Sequence, residues 1–94
     1  MTNAQARQII DSLGLPAVQS AAAGRTLRRA TASEDIDVHR MPNGDLFITR
    51  SRPGFVGRQV FEDTIAPDGT KQVIQKAYDS AGNEIHFDPK GGTP

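Results

Sequence analysis

The sequence predicts an α+β fold: one or two N-terminal helices packed on a four- to five-stranded antiparallel meander sheet. Three observations carry that expectation. Apolar residues recur at helical spacing near the N-terminus, at Ala6, Ile9, Ile10 and Leu13. From residue 35 the apolar period changes to two. Short turn signals, Pro42-Asn43-Gly44, Pro67-Asp68-Gly69 and Asp79-Ser80-Ala81-Gly82, then separate successive runs. Connections that short leave neighbouring strands only antiparallel pairing.

The spacing predicts a helix over 3–13. Thr2 or Asn3 can cap its start and Gly14 its end. Leu15, preceding Pro16, is biased away from the α region, which confirms the stop. A helix this short needs a sheet to pack on. Residues 17–32 read in two ways. Their alanines favour a second helix with a weak stripe of Val18, Ala22 and Leu27, interrupted at Gly24. Their Ala, Ser, Thr and Gly content equally describes a linker with little to bury. Strands are expected over 35–41, 45–51, 59–65, 71–78 and 83–88, with a Pro-Gly loop over 52–58 and a frayed tail over 90–94. The whole chain, 1–94, reads as one domain with a helical part (3–30) and a sheet (35–88). The helix covers one sheet face and leaves the other to solvent or a ligand.

Composition bounds the chemistry. With 94 residues, 36% hydrophobic content, no Trp, one Tyr and four Phe, the core is thin. It is expected to use Ile, Leu, Val and the Phe residues, Phe61 and Phe87 among them. No cysteine is present, which removes disulfides, thiol catalysis and thiolate zinc sites. Met1 is followed by no apolar signal-peptide core, and the uncharged stretch 12–24 is too short to span a bilayer, so a soluble chain is expected. Net charge is zero but unevenly spread. Arg7, Arg25, Arg28, Arg29, Arg40, Arg50, Arg52 and Arg58 all precede residue 61, and the lysines follow it. Arginine suits bidentate recognition of phosphate or carboxylate.

The sequence carries no metal signature, phosphate loop or Gly-x-Ser-x-Gly elbow. Glu62 and Asp63, adjacent in a strand, point to opposite faces and make a poor joint acid-base pair. The remaining candidates are His86 and His39 as proton-transfer groups. Arg50, Arg52, Arg58 and Lys90 are candidate phosphate contacts, and Tyr78 a candidate stacking or cross-strand packing residue. In an unbroken strand His86 has Glu84 and Asp88 on its own face, which favours its charged form. Metal-free RNA cleavage needs one group to take the 2′-hydroxyl proton, one to protonate the leaving oxygen, and cations for the developing charge. Arg25, Arg28 and Arg29 read as a solvated helix face, with a basic helix end near phosphate as the alternative.

The segment Ala77-Tyr78-Asp79-Ser80-Ala81-Gly82-Asn83, followed by Asp88-Pro89-Lys90-Gly91, resembles the Tyr-Asp repeat of Rhs-type bacterial proteins. It is also similar to C-terminal toxin domains of polymorphic and contact-dependent inhibition systems. Phe87-Asp88-Pro89-Lys90 resembles the tail of ribosome-cleaving colicins. Helices followed by an antiparallel sheet match the barnase, colicin and RelE-like ribonuclease class. The resemblance implies a small toxin acting as a metal-independent ribonuclease without cofactor. It further implies delivery from a bacterial producer into the target-cell cytoplasm, an RNA substrate and a cognate immunity protein. Balanced charge and the lack of a dense catalytic set equally fit a non-enzymatic adaptor of a larger secreted or phage-like assembly. A third reading is an immunity-like protein that meets a basic nuclease with the acidic residues after Phe61.

Overall fold

A computed structural model describes residues 1–54 and 56–93, with the side chains of 91–93 left out. Its elements run α1 (Asn3–Ser12), α2 (Ala17–Arg28), β1 (Asp35–Arg40), β2 (Leu46–Pro53), β3 (Gly57–Ile65), β4 (Lys71–Asp79) and β5 (Glu84–Thr93). The five strands form one antiparallel sheet in chain order, as expected.

Local chemistry sets the boundaries. Thr2 Oγ1 accepts from Gln5 N at 3.2 Å while Gln5 Oε1 accepts from Thr2 N at 2.9 Å, a reciprocal capping box that starts α1. Residues 17–28 resolve as helix, and the chain continues through Gly24 without a break. A Cβ at Gly24 would sit 2.8 Å from the Arg7 guanidinium, the mobile end of a long side chain that reaches across from α1. Arg25 and Arg28 in the last turn of α2 complement the partial negative charge of its C-terminus.

One device repeats at three of the four hairpins, those after β1, β3 and β4. Gly44, Gly69 and Gly82 take φ of 93°, 90° and 86°, and their N–H groups donate to Met41, Ala66 and Asp79 carbonyls. Met41, Ala66 and Asp79 N–H groups then donate to Asp45, Thr70 and Asn83 carbonyls. This is a three-residue loop with glycine at the left-handed position. An Asx side chain locks each one: Asn43, Asp68 and Asp79 Oδ1 accept from the N–H groups of Asp45, Thr70 and Asn83.

The core lies between the helices and the first three strands. It comprises Ala6, Ile10, Ala22, Ala23, Leu27, Ile36, Leu46, Ile48 and Ile65. No described Phe belongs to it. Phe47 and Phe61 are half-buried, Phe87 is 53% exposed, and Phe55 lies outside the described residues. By register Phe47 and Phe87 stand on the face away from the helices, and Phe61 stands beside Arg50 and Gln75, so branched aliphatics fill the layer. The buried stripe of α2 also differs from the expected one. Val18 is 55% exposed, and Gln19, Ala22, Ala23, Thr26 and Leu27 face the sheet. Gln19 Nε2 donates to both Gly44 O and Ile65 O at 2.9 Å, tying α2 to the first hairpin and the end of β3.

The strand ends depart from expectation too. β2 and β3 extend through Pro53 and from Gly57, leaving a loop shorter than 52–58. The expected frayed tail is instead strand: Gly92 pairs with Gln72 and Thr93 with Lys71, because β4 is long enough to template them. Pro94 lies outside the described residues.

Candidate functional site

α1 packs on β1, and α2 packs on β2 and β3. The helix side of the sheet is therefore covered at one end and open towards β4 and β5. Directly paired residues share a face, so the register builds this open shelf row by row. One row is Arg52, Gln59, Ala77 and His86; the next is Arg50, Phe61, Gln75 and Asp88; Asp63 and Val73 begin a third. Ala77 leaves a trough between Gln59 and His86.

The shelf is cationic. Arg50 and Arg52 guanidinium carbons lie 4.8 and 5.5 Å from the centroid of the Phe61 ring. Arg52 forks onto Gln59 Oε1 at 3.2 and 3.3 Å, a neutral partner that leaves its charge uncompensated. Arg50 Nε donates to Asp63 Oδ2 at 3.3 Å, and its Nη1 lies 3.9 Å from Glu34 Oε2. Towards the C-terminal end of α2 the shelf deepens into a recess of about 350 Å³. Arg29, Arg50, Phe61, Asp63, Lys71, Val73 and Lys90 line it. Lys71 Nζ donates to Thr26 Oγ1 at 3.2 Å. Burial pulls the Lys71 ammonium below its ordinary value, with Asp63 acting in the opposite direction. Burial also pushes the Asp63 carboxyl up, against the pull of Arg50 and Lys71. Lys90 pairs with Asp88 at the rim.

The opposite face is chemically different. It carries Asp35, Asp37, Glu62 and Glu84 with the cations Arg58 and Lys76, and Lys76 is bound to Glu62 at 3.2 Å.

The sequence-derived candidates divide between the two faces. His86, Arg50, Arg52 and Lys90 share the helix-side shelf. His39, Arg58 and Tyr78 lie on the other. Arg58 donates to Ser51 Oγ through Nε and Nη2, and it faces Tyr78 across the β3–β4 pair. His39 lines a separate hollow with Met41 and Phe47 on β1 and β2. The two histidines sit on the two outermost strands. Four inter-strand spacings of ~4.8 Å put them roughly 19 Å apart across the sheet, on opposite faces. They do not form one proton-transfer pair. A register shift between Ala77 and Tyr78 pairs Ala77 with His86 and Tyr78 with Glu84. Glu84 thereby moves to the opposite face, and Asp88 alone stays beside His86.

Sequence reasoning passed over Lys71 and read Asp63, Phe61 and Arg29 chiefly in other roles. Asp63 carried a signal: an acid at an inward parity position between Phe61 and Ile65 needs a buried cation, and Arg50 at the same parity of β2 provides it. Lys71 carried none, because its burial depends on where α2 ends.

No family model, curated protein or solved structure matches the chain. Among the described residues no helix is long and apolar enough to cross a membrane, and no group of three or more His, Asp or Glu is placed to hold a metal ion.

Proposed function

We propose that this domain binds single-stranded RNA across the helix-side shelf. The observation that carries the reading is the division of charge between the two sheet faces. Arg50, Arg52, Lys71 and Lys90 lie on the shelf beside a half-buried aromatic ring, Phe61, and outnumber the acids Asp63 and Asp88 there. On the far face the acids Asp35, Asp37, Glu62 and Glu84 outnumber the cations Arg58 and Lys76. A cationic groove with an aromatic platform is the general chemistry of single-strand binding. The test is fluorescence anisotropy with a single-stranded RNA over a salt series. Each phosphate contact adds about 0.7 to the logarithmic salt slope for single strands, so R52A/K90A lowers the slope by about 1.4. Far-face R58A leaves it unchanged. A salt-independent signal, or a loss with R58A and not with R52A/K90A, overturns the reading.

One observation favours a catalytic extension. His86 lies in the same row as Arg52 and one row from Arg50. In that extension the chain is a small bacterial toxin domain and a metal-independent ribonuclease. His86 transfers the proton, and an immunity protein covers the acidic far face by charge complementarity. Inducible expression of wild type beside H86A, with total RNA run on a gel, decides it. Growth arrest and RNA cleavage that H86A relieves support catalysis. Normal growth with intact RNA leaves an RNA-binding adaptor.

A further inference from the structure

Two groups in the recess at the end of α2 are incompletely partnered. Lys71 is 9% exposed, and among the described residues it has no carboxylate within ion-pair distance. Its ammonium spends one of three donors on Thr26 Oγ1. Asp63 is 1% exposed; its Oδ2 accepts from Arg50, while its Oδ1 has no partner. A buried unpaired charge is costly, and so is a buried unpaired acceptor. Among the described residues no packing partner explains either.

The two deficits are complementary. Lys71, with exposed Arg29 and rim Lys90, calls for an anion. Asp63 also lines this recess, and its buried Oδ1 still calls for a hydrogen-bond donor. Sulfate and an internal phosphodiester supply the charge but carry no proton near neutrality. A phosphate monoester, with a second pKa of about 6, supplies both. The recess lies just past the C-terminal end of α2, with Arg29 on its lining. We propose that the recess binds a phosphate monoester: Lys71, Arg29 and Lys90 hold its charge, and Asp63 Oδ1 accepts the hydrogen of its P–OH group. Where the monoester is the phosphorylated end of an RNA, this rests on the shelf reading above. Free phosphate is the other source of the same chemistry.

The test titrates the full chain at pH 6.5 with inorganic phosphate and with sulfate by calorimetry. It then compares 5′-phosphorylated and 5′-hydroxyl oligoribonucleotides of one sequence by anisotropy. Phosphate is expected to bind about tenfold tighter than sulfate, the effect of one charge-assisted hydrogen bond. D63N, whose amide offers a donor in place of an acceptor, brings sulfate up to phosphate. K71M loses both. Equal binding of the two anions by wild type, or binding of neither, overturns the proposal without any variant having to fold. The arms separate the two readings. A 5′-phosphate advantage over the 5′-hydroxyl RNA supports both. Salt-dependent RNA binding with no phosphate preference keeps the shelf and removes the recess. Selective phosphate binding with no RNA binding keeps the recess for free phosphate and removes the shelf.

Discussion

Gln19 is the polar side chain on which the docking of α2 depends, and its truncation gives a quantitative check. In Q19A two hydrogen bonds of 2.9 Å vanish together. The acceptor at Ile65 is buried, so water cannot replace the lost donor there, at a cost of about 1–3 kcal/mol. The acceptor at Gly44 is only part-buried, and water can replace the lost donor. That loss is nearer the net value of an ordinary hydrogen bond, about 0.5–1.5 kcal/mol. Loss of the unpartnered Gln19 Oε1 gives a little back. The sum is about 2–4 kcal/mol. For a chain of this size ~1 kcal/mol lowers Tm by about 4–8 °C, so Q19A should melt at least 8 °C lower. Urea unfolding followed by far-UV circular dichroism measures it, with an unchanged slope showing that the unfolded state is not altered. S20A, on a half-buried neighbour with no side-chain bond to the sheet, is the control. A Q19A stability within ~0.5 kcal/mol of wild type, the scatter of ordinary surface substitutions, would refute the idea that these two bonds anchor the helix.

Four further outcomes are expected. G57A should lose about 1–3 kcal/mol, as overpacked sites do, because a Cβ at Gly57 would overlap the Tyr78 carbonyl oxygen and lie 2.7 Å from Asp79 O; a wild-type melting curve would contradict this. K71M should be as stable as wild type or more stable at neutral pH, read from urea midpoints. For Lys71 the unfolded chain holds more protons between the lowered folded value and 10.5, so wild-type stability relative to K71M rises with pH across that window; a constant gap would contradict it. For Asp63, raised above 3.8, the folded chain holds more protons, so its contribution falls as pH rises from 3.8 through the folded value, and D63N lacks that fall.

The sheet was legible because its information is local. Period-two alternation and an Asx-bearing glycine turn at three of the four hairpins specify strands, order and pairing within a few neighbouring residues. The helix layer was less legible because its information is not local. Val18 looks like the buried member of α2 on hydropathy, yet Gln19 occupies that position. The energy that buries an amide comes from two carbonyls more than 20 residues away. The Phe residues were placed in the core by size, whereas strand parity turns Phe47 and Phe87 away from the helices. At the candidate site, alternation alone put Arg50 and Arg52 on one face. It failed at Glu84, where the bulge beside His86 resets the parity of the last strand. Whether Lys71 is a surface lysine or a buried one depends on Thr26 of α2 lying above it, a contact 45 residues long in sequence.

The cations of the helix side are not equivalent, and sorting them identifies where stability and binding conflict. Arg25 and Arg28 answer the C-terminal dipole of α2. Arg50 answers Asp63 and Glu34, and Lys90 answers Asp88. Those charges have structural reasons to be where they are. Lys71 is more deeply buried than any of these partners require, and Asp63 is already held by Arg50 at 3.3 Å. If Lys71 served only to neutralise Asp63, K71M would strand a buried carboxylate and lower stability by about 3–5 kcal/mol, as breaking a buried pair does. If it is instead a solitary cation held ready for an anion, methionine of similar shape relieves its desolvation and the protein gains or keeps stability. The sign of one stability difference therefore separates a structural lysine from a binding one, before any ligand is added.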